Sequence, residues 1–341
     1  MRRHPKASIV VLARFVLPVA LVALAGCSGA TSSGSAPAGS VSSSAAASSG
    51  AASSAAASSG AASSGAASTG TDLVVDVDLG GRTVHLVCQG PIGGSAPTVI
   101  FESGLGAPFF AWGDVQRPLS LKQRACAYDR AGLGASPAAP EASRTTKDIV
   151  ADLHAALSKA GVKGPYLMVG HSMGAWPVAL YASLYPSDVA GAILIDPRGP
   201  NVSAEWRAAL PPAAAGENAA VAANRDELGA FEHDPSMNPE HLDLTKSAAE
   251  ANAVLDPAGP LFGDRPVMVL GAADTHTNWS DLPPKIAATF DKIWLAGQKA
   301  LVAESTAGSF ETVPQSNHEI QSDRPQAVLD AIEKVLAGLG G

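Results

Sequence analysis

Gly170-His171-Ser172-Met173-Gly174 lies between a short apolar run, Tyr166–Val169, and a helical segment. A serine on a tight strand-to-helix turn is forced into a strained backbone conformation that holds its hydroxyl out of the sheet. Bulky side chains two residues before or after it would clash, which gives Gly170 and Gly174 a steric reason. Ser172 then stands exposed, with the amide of Met173 aimed at an oxygen that gains negative charge. The pentapeptide alone is a weak signal. Between a strand and a helix it is a strong one, and it demands that the chain around it supply both.

The rest of the chain supplies them. Leu73–Val77 and Thr83–Cys88 read as a hairpin through Gly80-Gly81. Val99–Glu102, Ala125–Asp129, Tyr166–Val169, Ala192–Asp196 and Val267–Leu270 are short apolar runs suited to strands buried on both faces. Thr146–Ala160 places Ile149, Leu153 and Leu157 on one helical stripe, and Pro325–Leu339 does the same with Val328, Ile332, Val335 and Leu339. This alternation predicts a mostly parallel sheet with helices on both faces. Residues 199–262 break the rhythm, being rich in Ala, Pro and Asn with no convincing strand, and read as a helical insertion over the C-terminal edge of the sheet.

The first 71 residues follow other rules. Arg2, Arg3, Lys6 and Arg14 precede an apolar stretch, Phe15–Ala25, of signal-peptide length. Leu24-Ala25-Gly26-Cys27 resembles the bacterial lipobox, so residues 1–26 are expected to be a lipoprotein signal and Cys27 the lipidated residue. An ordinary secretory signal with a chance cysteine is the alternative. Residues 28–71 are nearly all Ser, Ala and Gly without charge. They cannot bury enough surface to offset their ordering entropy, so the reading is a disordered tether, lipidated at Cys27, spanning about 35–40 Å. These features predict an exported lipoprotein on the extracytoplasmic face of the cell membrane, with the folded part in 72–341. The net charge of −8, or −12 without the four basic residues named above, argues against a nucleic-acid partner.

Several segments together resemble the α/β-hydrolase superfamily. They are the serine turn at 170–174, Glu102-Ser103-Gly104-Leu105-Gly106 after the third strand, and Asp129-Arg130-Ala131-Gly132-Leu133-Gly134-Ala135-Ser136 after the fourth. Ser316-Asn317-His318, followed by Asp323-Arg324-Pro325, completes the set. A dinucleotide loop at 129–136 is excluded because the third glycine is missing. The resemblance implies an eight-stranded sheet in the order 1-2-4-3-5-6-7-8, with the core in 72–198 and 263–341 and a lid formed by 199–262. It implies a triad of Ser172 as nucleophile, His318 as base and Asp274, after the seventh strand, as orienting acid. Asp196 at the end of the sixth strand is the rival acid. The amides of Leu105 and Met173 would form the oxyanion hole. His85, His154, His233 and His241 fall on a strand, a helix and the insertion, and His276 precedes the last strand, so none is favoured as base.

Under the same strand order Cys88 and Cys126 would lie on antiparallel neighbours, and export places them where disulfides persist, so a disulfide is expected. The chemistry needs no metal or cofactor, and no His/Asp cluster has ligand spacing. A serine at the turn argues against the superfamily's epoxide hydrolases and haloalkane dehalogenases, which use aspartate. The expected activity is cleavage of small carboxylic esters, with Leu228, Phe231, Leu255 and Leu261 of the insertion roofing an apolar acyl pocket. A proline-iminopeptidase-like enzyme is less favoured, because those relatives carry Gly-Gly-Pro where this chain has Ser-Gly-Leu. A non-catalytic binding lipoprotein on the same fold is the third reading. Trp176-Pro177 departs from the small residues usual after the turn, and Trp176 either narrows the acyl pocket or packs beneath the helix.

Overall fold

The structure is a computed structural model that describes residues 72–255, 259–274 and 279–340. The expected signal at 1–26, the lipidated Cys27, the tether to residue 71 and His276 lie outside the described residues.

Eight strands form one sheet: β1 Leu73–Asp78, β2 Thr83–Gln89, β3 Thr98–Glu102, β4 Ala125–Tyr128, β5 Tyr166–His171, β6 Val189–Ile195, β7 Val267–Ala272 and β8 Gly308–Val313. Their order is β1-β2-β4-β3-β5-β6-β7-β8, as the resemblance implied. The pairs β1–β2 and β2–β4 are antiparallel, and every later pair is parallel. Gly80 and Gly81 both take positive φ, +88° and +98°, in the β1–β2 turn.

Successive strand residues point to opposite faces, and the central strands are apolar on both. Ile100, Met168, Leu194 and Val269 face a core that includes Val150, Leu153 and Leu157 of helix α2 (Thr146–Lys159) and Val178 and Leu180 of α3 (Ala175–Leu184). Phe101, Val169, Ile195 and Leu270 face the opposite core, against Val115 of α1 (Gly113–Leu119) and Val328 and Ile332 of α9 (Pro325–Leu339). A capping box fixes the start of α2, with the Asp148 carboxylate accepting from the Thr145 amide at 2.7 Å.

Cys88 and Cys126 are directly opposed on β2 and β4 and form a disulfide with both residues fully buried.

Between β6 and β7 the chain forms α4 (Val202–Ala209), α5 (Ala219–His233) and α6 (Leu244–Val254). Trp206 of α4 packs into an aromatic cluster with Phe290 and Trp294 of α7 (Pro284–Val302). The expected roof does not assemble from the four residues assigned to it. Leu228 packs on the aromatic cluster, whereas Leu255 and Leu261 pack on the α2–α3 core. The side chain of Phe231 lies outside the described residues. A helix of one turn, α8 (Ile320–Asp323), separates the His318 loop from α9.

Candidate active site

Ser172 follows β5 directly and has φ +53°, the left-handed conformation expected for a strained serine turn. The two flanking glycines are needed for space. A Cβ on Gly174 would lie 2.5 Å from the carbonyl oxygen of Glu102, and one on Gly170 would lie 2.8 Å from that of Gly174. Pro177 sits in the first turn of α3, where no intrahelical partner for its nitrogen is required. Trp176 is buried among Met173, Leu242, Leu244 and Ala251, and donates its indole N–H to the carbonyl of Arg198 at 2.7 Å.

His318 lies on the loop after β8. Its Nε2 accepts from the Ser172 hydroxyl at 2.9 Å, and its Nδ1 donates to Asp196 Oδ2 at 2.7 Å. Both residues named from the sequence as nucleophile and base are therefore brought together. The acid is corrected: Asp196, the rival, holds the imidazole, and Asp274 does not. Asp274 is exposed in the turn after β7, and its amide donates to the carbonyl of Ser316 in the histidine loop at 3.0 Å.

The physical reason lies in the setting of Asp196. It ends the buried strand β6 with φ +37° and is wholly inaccessible. Its other oxygen, Oδ1, accepts from Gln298 Nε2 at 2.6 Å, from the Ala272 amide at 3.0 Å and from Trp294 Nε1 at 3.3 Å. A buried carboxylate needs such donors. Burial alone would push the Asp196 carboxyl up. The hydrogen bond and charge of His318, with the Ala272 and Gln298 donors, more than reverse this and hold it below the usual aspartate value. For His318 burial alone would lower the imidazole, and Asp196 outweighs it and raises it above the usual histidine value. Trp294 also sets its ring edge-on to His318, with centroids 5.4 Å apart. Gln298 and Trp294 belong to α7, a helix the sequence reading passes over, and no short motif marks them.

His171 is a second residue that the sequence reading leaves without a role. It is buried, and its Nε2 donates to the carbonyl of His318 at 2.9 Å. Burial is the largest influence on it and pushes its ring down, so it acts as a neutral donor. The ligand-type atoms of His171, His318 and Glu319 cluster together. The Nε2 of His171 and both nitrogens of His318 are already committed to the hydrogen bonds above, so the cluster does not offer a metal three free ligands.

The two backbone segments assigned to the oxyanion hole meet at the serine. A Cβ on Gly104 would lie 2.8 Å from His171 Nδ1 and 3.5 Å from Ser172 Cβ, and Leu105 packs with Met173. Ser103 accepts from Trp112 Nε1 at 3.0 Å through its hydroxyl. In the 129–136 segment Asp129 accepts from the Phe109 and Ala135 amides at 2.7 and 2.8 Å, and Ser136 bridges the carbonyl of Asp129 and the amide of His85. Asp129 and Ser136 thus fix the turn of this segment.

Three further histidines among the described residues are engaged away from the serine. His85 pairs with Asp76, His154 stacks on Tyr185, and His233 meets Thr245. His241 takes φ +53° before α6.

Comparisons with known proteins agree with this architecture. A model of the alpha/beta hydrolase fold matches residues 97–218, which include the serine turn and Asp196. An uncharacterised protein of Bacillus subtilis, YqjL, is 28% identical over 245 residues, covering 71% of this chain and 85% of that protein. Further curated relatives are matched locally, over 18% to 40% of their own length. Among solved structures, a thermophilic esterase from Thermogutta terrifontis superposes with a TM-score of 0.52 at 18% identity, covering 79% of this chain and 99% of that one. A haloalkane dehalogenase loop variant from Bradyrhizobium elkanii gives 0.54 at 16% identity, covering 79% and 97%. Two neighbours of different chemistry on one scaffold leave the reaction to be argued from the site. Sheet order and the strained serine turn give this chain the α/β-hydrolase fold, and the family model of that fold matches it over residues 97–218.

Proposed function

We propose that this protein is a lipid-anchored, extracytoplasmic serine hydrolase that cleaves carboxylic esters through Ser172, His318 and Asp196. The observation that carries the reading is the unbroken chain of hydrogen bonds from the Ser172 hydroxyl through His318 to Asp196. His318 takes the serine proton as Ser172 attacks the ester carbonyl, and the amides of Leu105 and Met173 stabilise the oxyanion. His318 then protonates the leaving alcohol. Water, activated by the same histidine, releases the acid from the acyl-enzyme. Asp196 holds the Nδ1–H tautomer and offsets the charge of the imidazolium. Serine at the turn favours acyl transfer over the aspartate chemistry of the dehalogenases.

Treatment of the protein with a fluorophosphonate, followed by peptide mapping, tests the reaction class. One adduct on Ser172, absent from Ser172→Ala and His318→Ala, is expected. No adduct on the folded protein rejects the hydrolase. The anchor rests on the lipobox-like Leu24-Ala25-Gly26-Cys27. Metabolic labelling of the full chain with a fatty acid in a bacterial host should mark the wild type and not Cys27→Ala. Equal labelling of both rejects lipidation at Cys27.

A further inference from the structure

The loop Ser103–Gly106, which carries the Leu105 amide, is held from beneath by a buried ionic cluster. Arg130 of the segment after β4 lies at its centre. Its guanidinium donates to the carbonyl oxygens of Ser103 at 2.5 Å and Gly104 at 2.6 Å, and to Glu102 Oε1 at 2.7 Å. It also donates to both oxygens of Glu240, at 2.5 and 2.9 Å. Glu240 Oε1 accepts in turn from the Gly106 amide at 2.7 Å, and Tyr128 donates to the far oxygen of Glu102 at 2.6 Å. Glu102, Arg130 and Glu240 are all buried. Leu105 is thus bracketed on one side by carbonyls bound to Arg130 and on the other by an amide bound to Glu240.

Glu240 comes from the insertion, more than a hundred residues along the chain from the loop it holds. The segment that delivers it is docked on the core. Asn238 exchanges two 2.9 Å hydrogen bonds with the backbone of Leu242. Arg144 pairs with the same stretch through its amide to His241 and its carbonyl to Asp243, at 2.8 and 2.9 Å. Gly132 has no room for a side chain, because a Cβ there would lie 2.1 Å from the carbonyl oxygen of Pro239.

We infer that Glu240, acting with Arg130, is the positioning residue of the oxyanion hole, so that the insertion completes the catalytic geometry and does more than cover it. This inference rests on the hydrolase reading above. Removing Glu240 leaves Arg130 paired with Glu102 alone and the Gly106 amide without its acceptor. Arg130 would then be free to pull on the Ser103 and Gly104 carbonyls without the counter-pull at Gly106. A displacement of about 1 Å at a catalytic donor is enough to cost about a hundredfold in rate.

The test uses the full chain with p-nitrophenyl butyrate as the probe ester and a boronate as transition-state mimic. Glu240→Ala should lower kcat about a hundredfold with KM nearly unchanged. Its affinity for the boronate, which places a tetrahedral oxygen in the hole, should fall in step with kcat/KM. Glu240→Gln keeps an acceptor for Gly106 and loses the charge that faces Arg130, so it should recover only part of the rate, to about a tenth of the wild type, with boronate affinity lowered in step. Tyr166→Phe removes a 2.7 Å hydrogen bond to the Val162 carbonyl at the end of β5 away from Ser172. It should lower the melting temperature and leave kcat and boronate affinity near wild type.

If folded Glu240→Ala matches Tyr166→Phe in rate, Glu240 is structural only and the inference is overturned. If Glu240→Ala does not fold, the decision passes to Glu240→Gln, where unchanged kcat and boronate affinity would overturn it. Failure of the wild type to react with a fluorophosphonate is a separate result, which rejects the hydrolase reading instead.

Discussion

The amide of Asp274 donates to the carbonyl of Ser316, two residues before His318, while Asp274 itself is exposed. It therefore helps place the loop of the base through its main chain and leaves the imidazole to Asp196. Exchanging either carboxylate for an amide separates the two roles. Asp196→Asn should drop kcat about ten-thousandfold, because an amide at that site favours the wrong tautomer of His318. Asp274→Asn keeps its main-chain donor and should stay within about twofold of wild type, since surface changes of this kind are worth at most about 0.5 kcal/mol. Steady-state rates of the two variants decide between them. A large loss in Asp274→Asn with none in Asp196→Asn would reverse the assignment.

Gln298 gives Asp196 its shortest side-chain hydrogen bond, 2.6 Å against 2.7 Å from His318. Hydrogen bonds to a charged group contribute about 1.5–3 kcal/mol. Gln298→Leu should therefore lower kcat roughly ten- to a hundredfold, with the Ser172 fluorophosphonate adduct still forming, more slowly. Wild-type kcat in that variant would mean that Ala272 and Trp294 suffice to hold the carboxylate.

Much of this arrangement is legible in the sequence. Ser172 is marked by two glycines whose absent side chains are needed against Glu102 and Gly174, and the strands by apolar runs that bury both faces. The acid is harder to read. Asp274 and Asp196 both follow apolar strands, and what selects Asp196 is a set of donors from the Ala272 amide and from Trp294 and Gln298 of α7. Those donors converge only after β6, β7 and α7 are assembled, and no local pattern announces them. Glu240 is hidden for the same reason, because its partners Arg130 and Gly106 precede it by more than a hundred residues and the segment around it has no strand or helix periodicity.

The Cys88–Cys126 disulfide ties β2 to β4 across a sequence separation of 38. Chain-entropy arguments put the stabilisation from a loop of that size at up to about 4 kcal/mol. The Cys88→Ala/Cys126→Ala double variant should unfold at lower denaturant than the oxidised protein and keep its native kcat in dilute buffer, since neither cysteine contributes to the hydrogen bonds of the triad. Denaturant titration with and without a reductant checks this. Identical midpoints would show that the cross-link adds nothing to the native state.

The pH dependence of the reaction follows from the opposed shifts of His318 and Asp196. His318 must be neutral to accept the serine proton, so kcat/KM should rise with pH as the imidazole loses its proton. Asp196 holds that imidazole above the usual histidine value of about 6.5, so the acid limb of the profile should lie on the alkaline side of that value. The stability contribution has the opposite course. A raised histidine favours the folded state below its unfolded pKa, and the benefit is lost as pH rises through the folded one. Asp196, held below the usual aspartate value, contributes at neutral pH and loses its contribution as pH falls through its depressed pKa. In Asp196→Asn the largest influence raising His318 is gone while burial still lowers it, so the residual acid limb should move to lower pH even as the plateau falls. A limb that stays in place in that variant would mean that the group titrating in the profile is not His318 under the control of Asp196.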